Sequence, residues 1–142
     1  MAEYEATRGM PADGDIAFGV ASDVDLINRW LPHGLLVRGS GPGTVEATGD
    51  LVPGEGAHEG LLRVSHEQRR VEWGGRDHPQ YAGWLQVTDT GNGASEVVAH
   101  LSLLDEPDEA TTPERRAEVR GLLEESLDNL VDEVTRRVTD AG

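Results

Sequence analysis

The sequence predicts an α+β fold in which a seven-stranded antiparallel sheet curves around one long C-terminal helix. Three observations lead to this fold class. Short stretches of alternating polar and apolar residues, separated by turn sequences, fill positions 35–105. Beyond position 110 the apolar residues recur with the 3.6-residue period of a helix. Two short helical segments separate the first strand from the others. The length of 142 residues suits a single domain spanning 1–142.

Seven segments show the alternation expected of half-buried strands. The six segments after position 35 are each followed by a turn sequence, so chain neighbours are expected to pair antiparallel. The clearest turn is Asn92-Gly93, because both residues tolerate a positive φ. The predicted strands span 3–9, 35–39, 44–51, 58–65, 69–75, 81–89 and 95–104.

Two short helices are predicted after the first strand. The first begins at Asp13 or Gly14, and the second begins after Ser22 or Asp23, which are good N-cap residues. The second helix is expected to end before Pro32, because proline disfavours helical geometry at the residue that precedes it.

The long helix is predicted from Pro113 to Val138, with Thr111 or Thr112 as its N-cap. About 26 residues at 1.5 Å each give roughly 39 Å of helix. One apolar stripe runs along it and must be buried, and the only sufficiently large partner is one face of the sheet. The stripe consists of Val119, Leu122, Leu123, Leu127, Leu130, Val131, Val134 and Val138.

This order of elements, together with several local motifs, resembles the SRPBCC or START-like helix-grip superfamily, which includes polyketide cyclase/dehydrase-like proteins. The motifs are EYEATRGM at 3–10, the Pro11-Ala12 step, DVDLINRWLP at 23–32, RRVEWGG at 69–75, and the Gly83-Trp84 strand with its TDTGNGASEV hairpin. The resemblance implies an elongated apolar cavity between sheet and C-terminal helix. It also implies a hydrophobic small molecule, lipid-like or polyketide-like, as the ligand.

Strand alternation divides the predicted sheet into two faces. The apolar face and the stripe of the long helix would line the cavity, although the same pattern also fits an ordinary packed core. Trp30 either plugs one end of the core or contacts the ligand. His78 and Tyr81 flank the turn before the Trp84 strand, where they are either solvated loop residues or a polar pair that orients a ligand near the cavity mouth. The predicted ligand-binding residues are Trp30, Leu62, Val71, Trp73, Tyr81, Leu85, Leu101, Leu123 and Leu127.

The other face is mostly polar and is expected to be solvated, with Trp84 as a partly exposed aromatic residue. Trp84 marks a strand-edge packing contact or an oligomer interface, or else lines the pocket if its phase is inward. An enzyme of the cyclase, dehydrase or aromatase class would need acid–base groups. The groups available to it are His58, Arg63, Glu72, Tyr81 and His100.

Other chemistries lack the residues that they need. There is no cysteine and no GxSxG motif, and the five histidines are spread over separate elements without metal-ligand spacing. No metal and no cofactor are therefore predicted. The formal net charge of −15 repels phosphate backbones, which makes nucleic acid an unfavourable partner. No apolar run is long enough for membrane insertion.

These observations favour a bacterial, cytoplasmic binding protein that is a monomer or a homodimer. Binding of a hydrophobic small molecule without covalent chemistry is the first hypothesis. A polyketide cyclase, dehydrase or aromatase is the second, and a protein-interaction domain with a collapsed pocket is the third.

Overall fold

The computed structural model describes residues 2–31, 36–41, 43–48, 58–75, 81–103 and 112–141. Seven strands and three helices lie in these ranges. Their bounds are β1 Ala2–Met10, α1 Gly14–Ala21, α2 Ile27–Trp30, β2 Leu36–Gly41, β3 Thr44–Thr48, β4 His58–Ser65, β5 Arg70–Gly75, β6 Tyr81–Gly91, β7 Ala94–Leu103 and α3 Pro113–Ala141.

The seven strands form one antiparallel sheet in the order β1-β7-β6-β5-β4-β3-β2. From β2 to β7 every strand pairs with its neighbour in the chain. The first strand is different, because it crosses to the far edge and pairs with β7 from Ala2↔Leu103 to Met10↔Ser95. This curved sheet with its long C-terminal helix confirms the predicted α+β, helix-grip architecture.

The turn and cap residues behave largely as their chemistry predicts. Asn92 and Gly93 have φ values of 57° and 75°, as a tight hairpin between β6 and β7 requires. The side chain of Asp13 accepts a hydrogen bond from the Ile16 backbone N–H and so caps α1. Thr112 caps α3 by accepting from the backbone N–H of Arg115 at 3.1 Å.

The second short helix is shorter than predicted, and its expected cap was wrong. Asp23 accepts a hydrogen bond from the backbone N–H of Asp25 at 2.9 Å, which stabilises a turn instead of a helix start. Only Ile27–Trp30 is helical, and Leu31 is extended with ψ of 154°. The extended Leu31 agrees with the restriction that a following proline imposes; Pro32 itself lies outside the described residues.

The long helix α3 lies across the sheet, with its apolar stripe inward. Val119, Leu127, Leu130 and Val134 are buried, whereas Val138 near the C-terminal end is exposed. At the β1 edge, Arg8 Nε donates to Asp128 Oδ1 at 2.9 Å. None of the described helices combines the length and apolar character needed to cross a membrane.

A polar cluster ties α1 to the β4–β5 turn and to strand β6. Arg69 donates to Asp15 at 3.0 Å and to Asp89 at 2.8 Å, and Asp89 also accepts from the backbone N–H of Gly14. The hydrogen bond with Asp15 is the main cause that raises the pKa of Arg69. The Arg69 guanidinium therefore joins α1 to β6, close to the β6–β7 hairpin turn.

Two further side chains hold α2 in place. The buried Ser126 Oγ donates to the Trp30 carbonyl oxygen at 2.9 Å and ties α2 to α3. The Asn28 amide donates to the Val37 carbonyl and accepts from the Val37 N–H, both at 2.7 Å. The short helix is thus bound to the long helix on one side and to the edge strand β2 on the other.

We predict that Ser126→Ala lowers the free energy of unfolding by about 1 kcal/mol, because the buried Trp30 carbonyl loses its partner. The measurement is urea denaturation followed by tryptophan fluorescence. Thr135→Ala is the matched control, since Thr135 Oγ1 donates to the Val131 carbonyl on the exposed surface of the same helix. Equal destabilisation by both variants would contradict a specific role for the Ser126 contact.

Candidate functional site

Strand register places the inward side chains in rows that cross the sheet. One row, which we call the Trp73 row, consists of Leu62, Trp73, Gly83, Leu101 and Tyr4, contributed in order by β4, β5, β6, β7 and β1. The next row, the Leu85 row, consists of Val64, Val71, Leu85, Ala99 and Ala6. Both rows face α3, so they form the floor of the space between sheet and helix.

The Leu85 row lies under a filled part of the interior. Val71, Leu85 and Ala99 are all buried and belong to one apolar cluster with Leu127 and Leu130 of α3. Helix α1 and the neighbouring turn complete this cluster with Ala12, Ala17, Phe18, Val20 and Ala21. Side chains therefore occupy the space at the end of the molecule that α1 covers.

The Trp73 row is less completely covered. Leu62, Trp73 and Leu101 are only half-buried, although they face inward, and Leu123 above them on α3 is half-buried as well. Apolar side chains on an inward face normally gain free energy by complete burial. The incomplete cover leaves accessible apolar surface at this row, and Val64 of the Leu85 row, on the same strand as Leu62, is half-buried as well.

The indole of Trp73 lies flat against Gly83. A Cβ atom built on Gly83 would stand 2.6 Å from three atoms of the Trp73 ring, which is far inside van der Waals contact. Only glycine leaves room for the ring to cross β6 at this position. The Trp73–Gly83 contact thus presents an aromatic face to the space below α3.

Tyr4 ends the Trp73 row at the β1 edge. It is 2 % exposed and packs in a small cluster with Val119, Leu101 and Leu123. Among the residues that the structure describes, its hydroxyl has no hydrogen-bond partner. Tyr4 was missed as a candidate site residue. Its inward phase follows from alternation within 3–9, but its neighbours depend on the pairing of β1 with β7, some 97 positions apart at Tyr4↔Leu101.

The structure separates the predicted ligand-binding residues into two groups. Leu62, Trp73, Leu101 and Leu123 come together at the half-covered Trp73 row. Trp30, Val71, Leu85 and Leu127 are buried within the filled cluster. The side chain of Tyr81 and the whole of His78 lie outside the described residues.

Most of the polar residues considered for catalysis lie on the outer face of the sheet. Glu72, Trp84, His100 and Glu5 follow one another in register across β5, β6, β7 and β1. The Trp84 and His100 rings stack at 5.2 Å, and the Arg70 guanidinium lies 4.4 Å from the Trp84 ring centre. Trp84 therefore faces outward and is half-covered by its own neighbours.

Three of the five acid–base candidates are thereby placed away from α3. Glu72 and His100 belong to the outer row, and Arg63 pairs with Glu72 in the β4–β5 register. The side chain of His58 is outside the described residues, as is that of Tyr81. Over the part of the chain that the structure describes, no three ligating side chains are grouped so that they could hold a metal ion.

Two clefts lie on the surface and not beneath α3. One, of about 320 Å³, is lined by charged and amide groups between α2 and α3, where Glu133 Oε1 accepts from Arg136 at 2.6 Å. The other, of about 470 Å³, lies between α2 and the β2–β3 hairpin. Neither includes a residue of the Trp73 row, so the predicted ligand site does not coincide with either cleft.

Comparison with solved structures places this architecture among known proteins. The chain is similar to the Zhui aromatase/cyclase from a Streptomyces species, with a TM-score of 0.69 and 16% identity over 99% of this chain and 98% of that one. It is also similar to a protein from Thermus thermophilus, with a TM-score of 0.67 and 18% identity over 99% of each chain. Norcoclaurine synthase from Thalictrum flavum gives 0.62 and 18% identity over 94% and 86%.

These identities are low, so the structural likeness shows a shared fold alone. No curated protein sequence matches the chain. The family described as polyketide cyclase / dehydrase and lipid transport matches residues 1–135, which is nearly the whole sequence. By this match, and by the sheet and helix arrangement that accompanies it, the chain belongs to the polyketide cyclase / dehydrase and lipid transport family.

Proposed function

We propose that this protein binds an apolar small molecule, lipid-like or polyketide-like, between the sheet and α3. The observation that supports the proposal is the half-covered Trp73 row. Leu62, Trp73, Leu101 and Leu123 face inward, yet they keep accessible surface next to a core that is otherwise filled. A ligand that covers them would remove this apolar surface from water.

Covering this surface would contribute to binding. Burial of one large apolar side chain from full exposure contributes about 1.5–3 kcal/mol, and these four side chains are already covered for the most part, so completing their burial yields on the order of 2 kcal/mol in total. Part of this gain is offset by the lost freedom of the ligand. The filled Leu85 row, with Leu127 above it, would act as a rigid wall that limits how deeply the ligand enters.

The positions of the ionisable side chains favour binding over catalysis. Among the described inward side chains of the strands, the ionisable groups are Tyr4, Arg8 and Asp89. Arg8 is already engaged by Asp128, and Asp89 accepts hydrogen bonds from Arg69 and from the Gly14 backbone N–H. Acid–base catalysis needs a group within reach of the substrate, whereas Glu72 and His100 lie on the outer face. The aromatase/cyclase among the structural relatives keeps an enzyme of that class as the alternative function.

The interaction-domain hypothesis has less support. It relied on the acidic surface and on an exposed Trp84, but the Trp84 ring is stacked on His100 and lies against Arg70. An aromatic ring already engaged by its neighbours offers less surface to a partner protein. Whether the protein is a monomer or a homodimer stays a prediction.

The adjacent residues Leu61 and Leu62 provide a matched test of the proposed site. Leu62 faces inward opposite Trp73, whereas Leu61 points to the other face and is 47% exposed. We expect Leu62→Glu to weaken binding of the neutral dye N-phenyl-1-naphthylamine on the order of tenfold or more, because a carboxylate is costly to bury. Leu61→Glu adds the same charge on the same strand and should leave binding unchanged.

Fluorescence titration of the dye measures this effect, and thermal unfolding confirms that both variants are folded. Equal loss of binding in the two variants, or no loss in either, would place the dye somewhere other than the Trp73 row.

A second prediction concerns the position of the Trp73 ring. Gly83→Ala should displace this ring and lower the free energy of unfolding by roughly 1–3 kcal/mol, as overpacking does in other cores. It should also change the dye affinity and shift the tryptophan emission maximum. Gly9→Ala is the control, because apart from its two chain neighbours no described residue has a heavy atom within 4 Å of a Cβ at that strand position. If Gly83→Ala behaves like Gly9→Ala, the flat contact between Trp73 and Gly83 is refuted.

A further inference from the structure

Three buried polar atoms of the described residues lack a hydrogen-bond partner: Tyr4 Oη, Trp30 Nε1 and Ser95 Oγ. Leaving such a group unsatisfied destabilises a fold by about 1–3 kcal/mol. Each of these atoms therefore needs a physical explanation. Their surroundings differ, and that difference distinguishes Tyr4 from the other two.

Trp30 and Ser95 lie in the filled part of the molecule. Trp30 belongs to the cluster that contains Leu127 and Leu130, and Ser95 pairs with Met10 at the end of β1 farthest from Tyr4. Tyr4 instead stands among Leu101 and Leu123, the half-buried leucines of the proposed binding site. Its hydroxyl is buried against these leucines, so a molecule at the Trp73 row would meet this unpartnered group when it displaces them.

We propose that the Tyr4 hydroxyl donates a hydrogen bond to an oxygen of the ligand, which makes the ligand a ring-containing apolar molecule with a carbonyl group at one end. This inference rests on the proposed function. A phenolic hydroxyl can donate one hydrogen bond, and a carbonyl oxygen is an acceptor that adds little polarity to an otherwise apolar molecule. The rest of the ligand would lie toward Trp73.

The spacing of the row indicates the size of that ligand. Tyr4 on β1 and Trp73 on β5 are separated by β7 and β6. Three inter-strand steps of about 4.8 Å give roughly 14 Å between the two strands. A flat ring system of two or three rings, with its face on the Trp73 indole and its carbonyl at Tyr4, would span the interval that the two side chains leave between them.

The proposal also explains why the unpartnered hydroxyl is tolerated. A binding site requires groups that are unsatisfied without the ligand and satisfied with it, so such sites reduce the stability of the free protein. Replacing Tyr4 with phenylalanine should therefore leave the melting temperature of the free protein unchanged or higher. A tyrosine whose hydroxyl served only the fold would show the opposite result.

The test uses 9-fluorenone and fluorene, two tricyclic molecules of nearly equal shape that differ in the carbonyl oxygen. Binding to the wild-type protein and to Tyr4→Phe is followed by quenching of tryptophan fluorescence. We expect the wild type to bind fluorenone more tightly than fluorene. Tyr4→Phe should weaken fluorenone binding about three- to tenfold, the amount that one net hydrogen bond supplies, and leave fluorene binding unchanged.

Other outcomes separate this inference from the proposed function. If both molecules bind and Tyr4→Phe changes neither affinity, or changes both equally, the Tyr4 hydrogen bond is overturned while the apolar site stands. A lower melting temperature for Tyr4→Phe would also overturn it, since the hydroxyl would then have a structural role. If neither molecule binds to the wild type, both the apolar site and the role of Tyr4 are refuted.

Discussion

The pairing of β1 with β7 is the contact on which the interior depends. It joins the first described strand to the last one, and it carries α1 and α2 from that edge across one end of the sheet. The same pairing sets Tyr4 beside Leu101 and brings Arg8 to Asp128 on α3. Without it β7 would be the edge strand, and the Trp73 row would end there without Tyr4.

The described interior has a filled part and an incompletely covered part. The end beneath α1 is filled by apolar side chains and is further fixed by Arg69, which joins α1 to the β6–β7 hairpin. The other end keeps apolar surface and an unpartnered hydroxyl. A fold can maintain such a region only when the remaining packing supplies enough free energy, because marginal stability is the general condition of folded domains. The packing of the filled part thus offsets the free energy lost by incomplete burial at the Trp73 row.

Much of this arrangement could be predicted from the sequence. Alternation along each strand assigned Leu62, Trp73 and Leu101 to one face and Trp84 and His100 to the other, because the side-chain period of a strand is two whatever its partners are. The 3.6-residue period predicted α3 with its N-terminal residue at Pro113, as observed, and with its C-terminal end three residues before Ala141. These features depend on local chemistry, which a single sequence records directly.

The remaining features depend on distances between segments that are remote in the chain. Leu85 is buried and Leu101 is half-buried because of how α1 and α3 pack on the sheet. The periodicity of the sequence carries no information about this packing. The contact of the Trp73 ring with Gly83 depends on the register between β5 and β6, which alternation along one strand does not specify. The second short helix begins later than predicted for a local reason: Asp23 can stabilise either a helix start or a turn, and here it stabilises a turn.

The contact between Asn28 and Val37 affects how the sheet edge can pair with another copy of the chain. Strand β2 lies at the border of the sheet, where exposed backbone groups can recruit a strand from another chain and begin aggregation. The Asn28 amide occupies both the N–H and the carbonyl of Val37, as a neighbouring strand would. One side chain of a four-residue helix therefore occupies the groups through which another strand could pair at this point of the sheet edge.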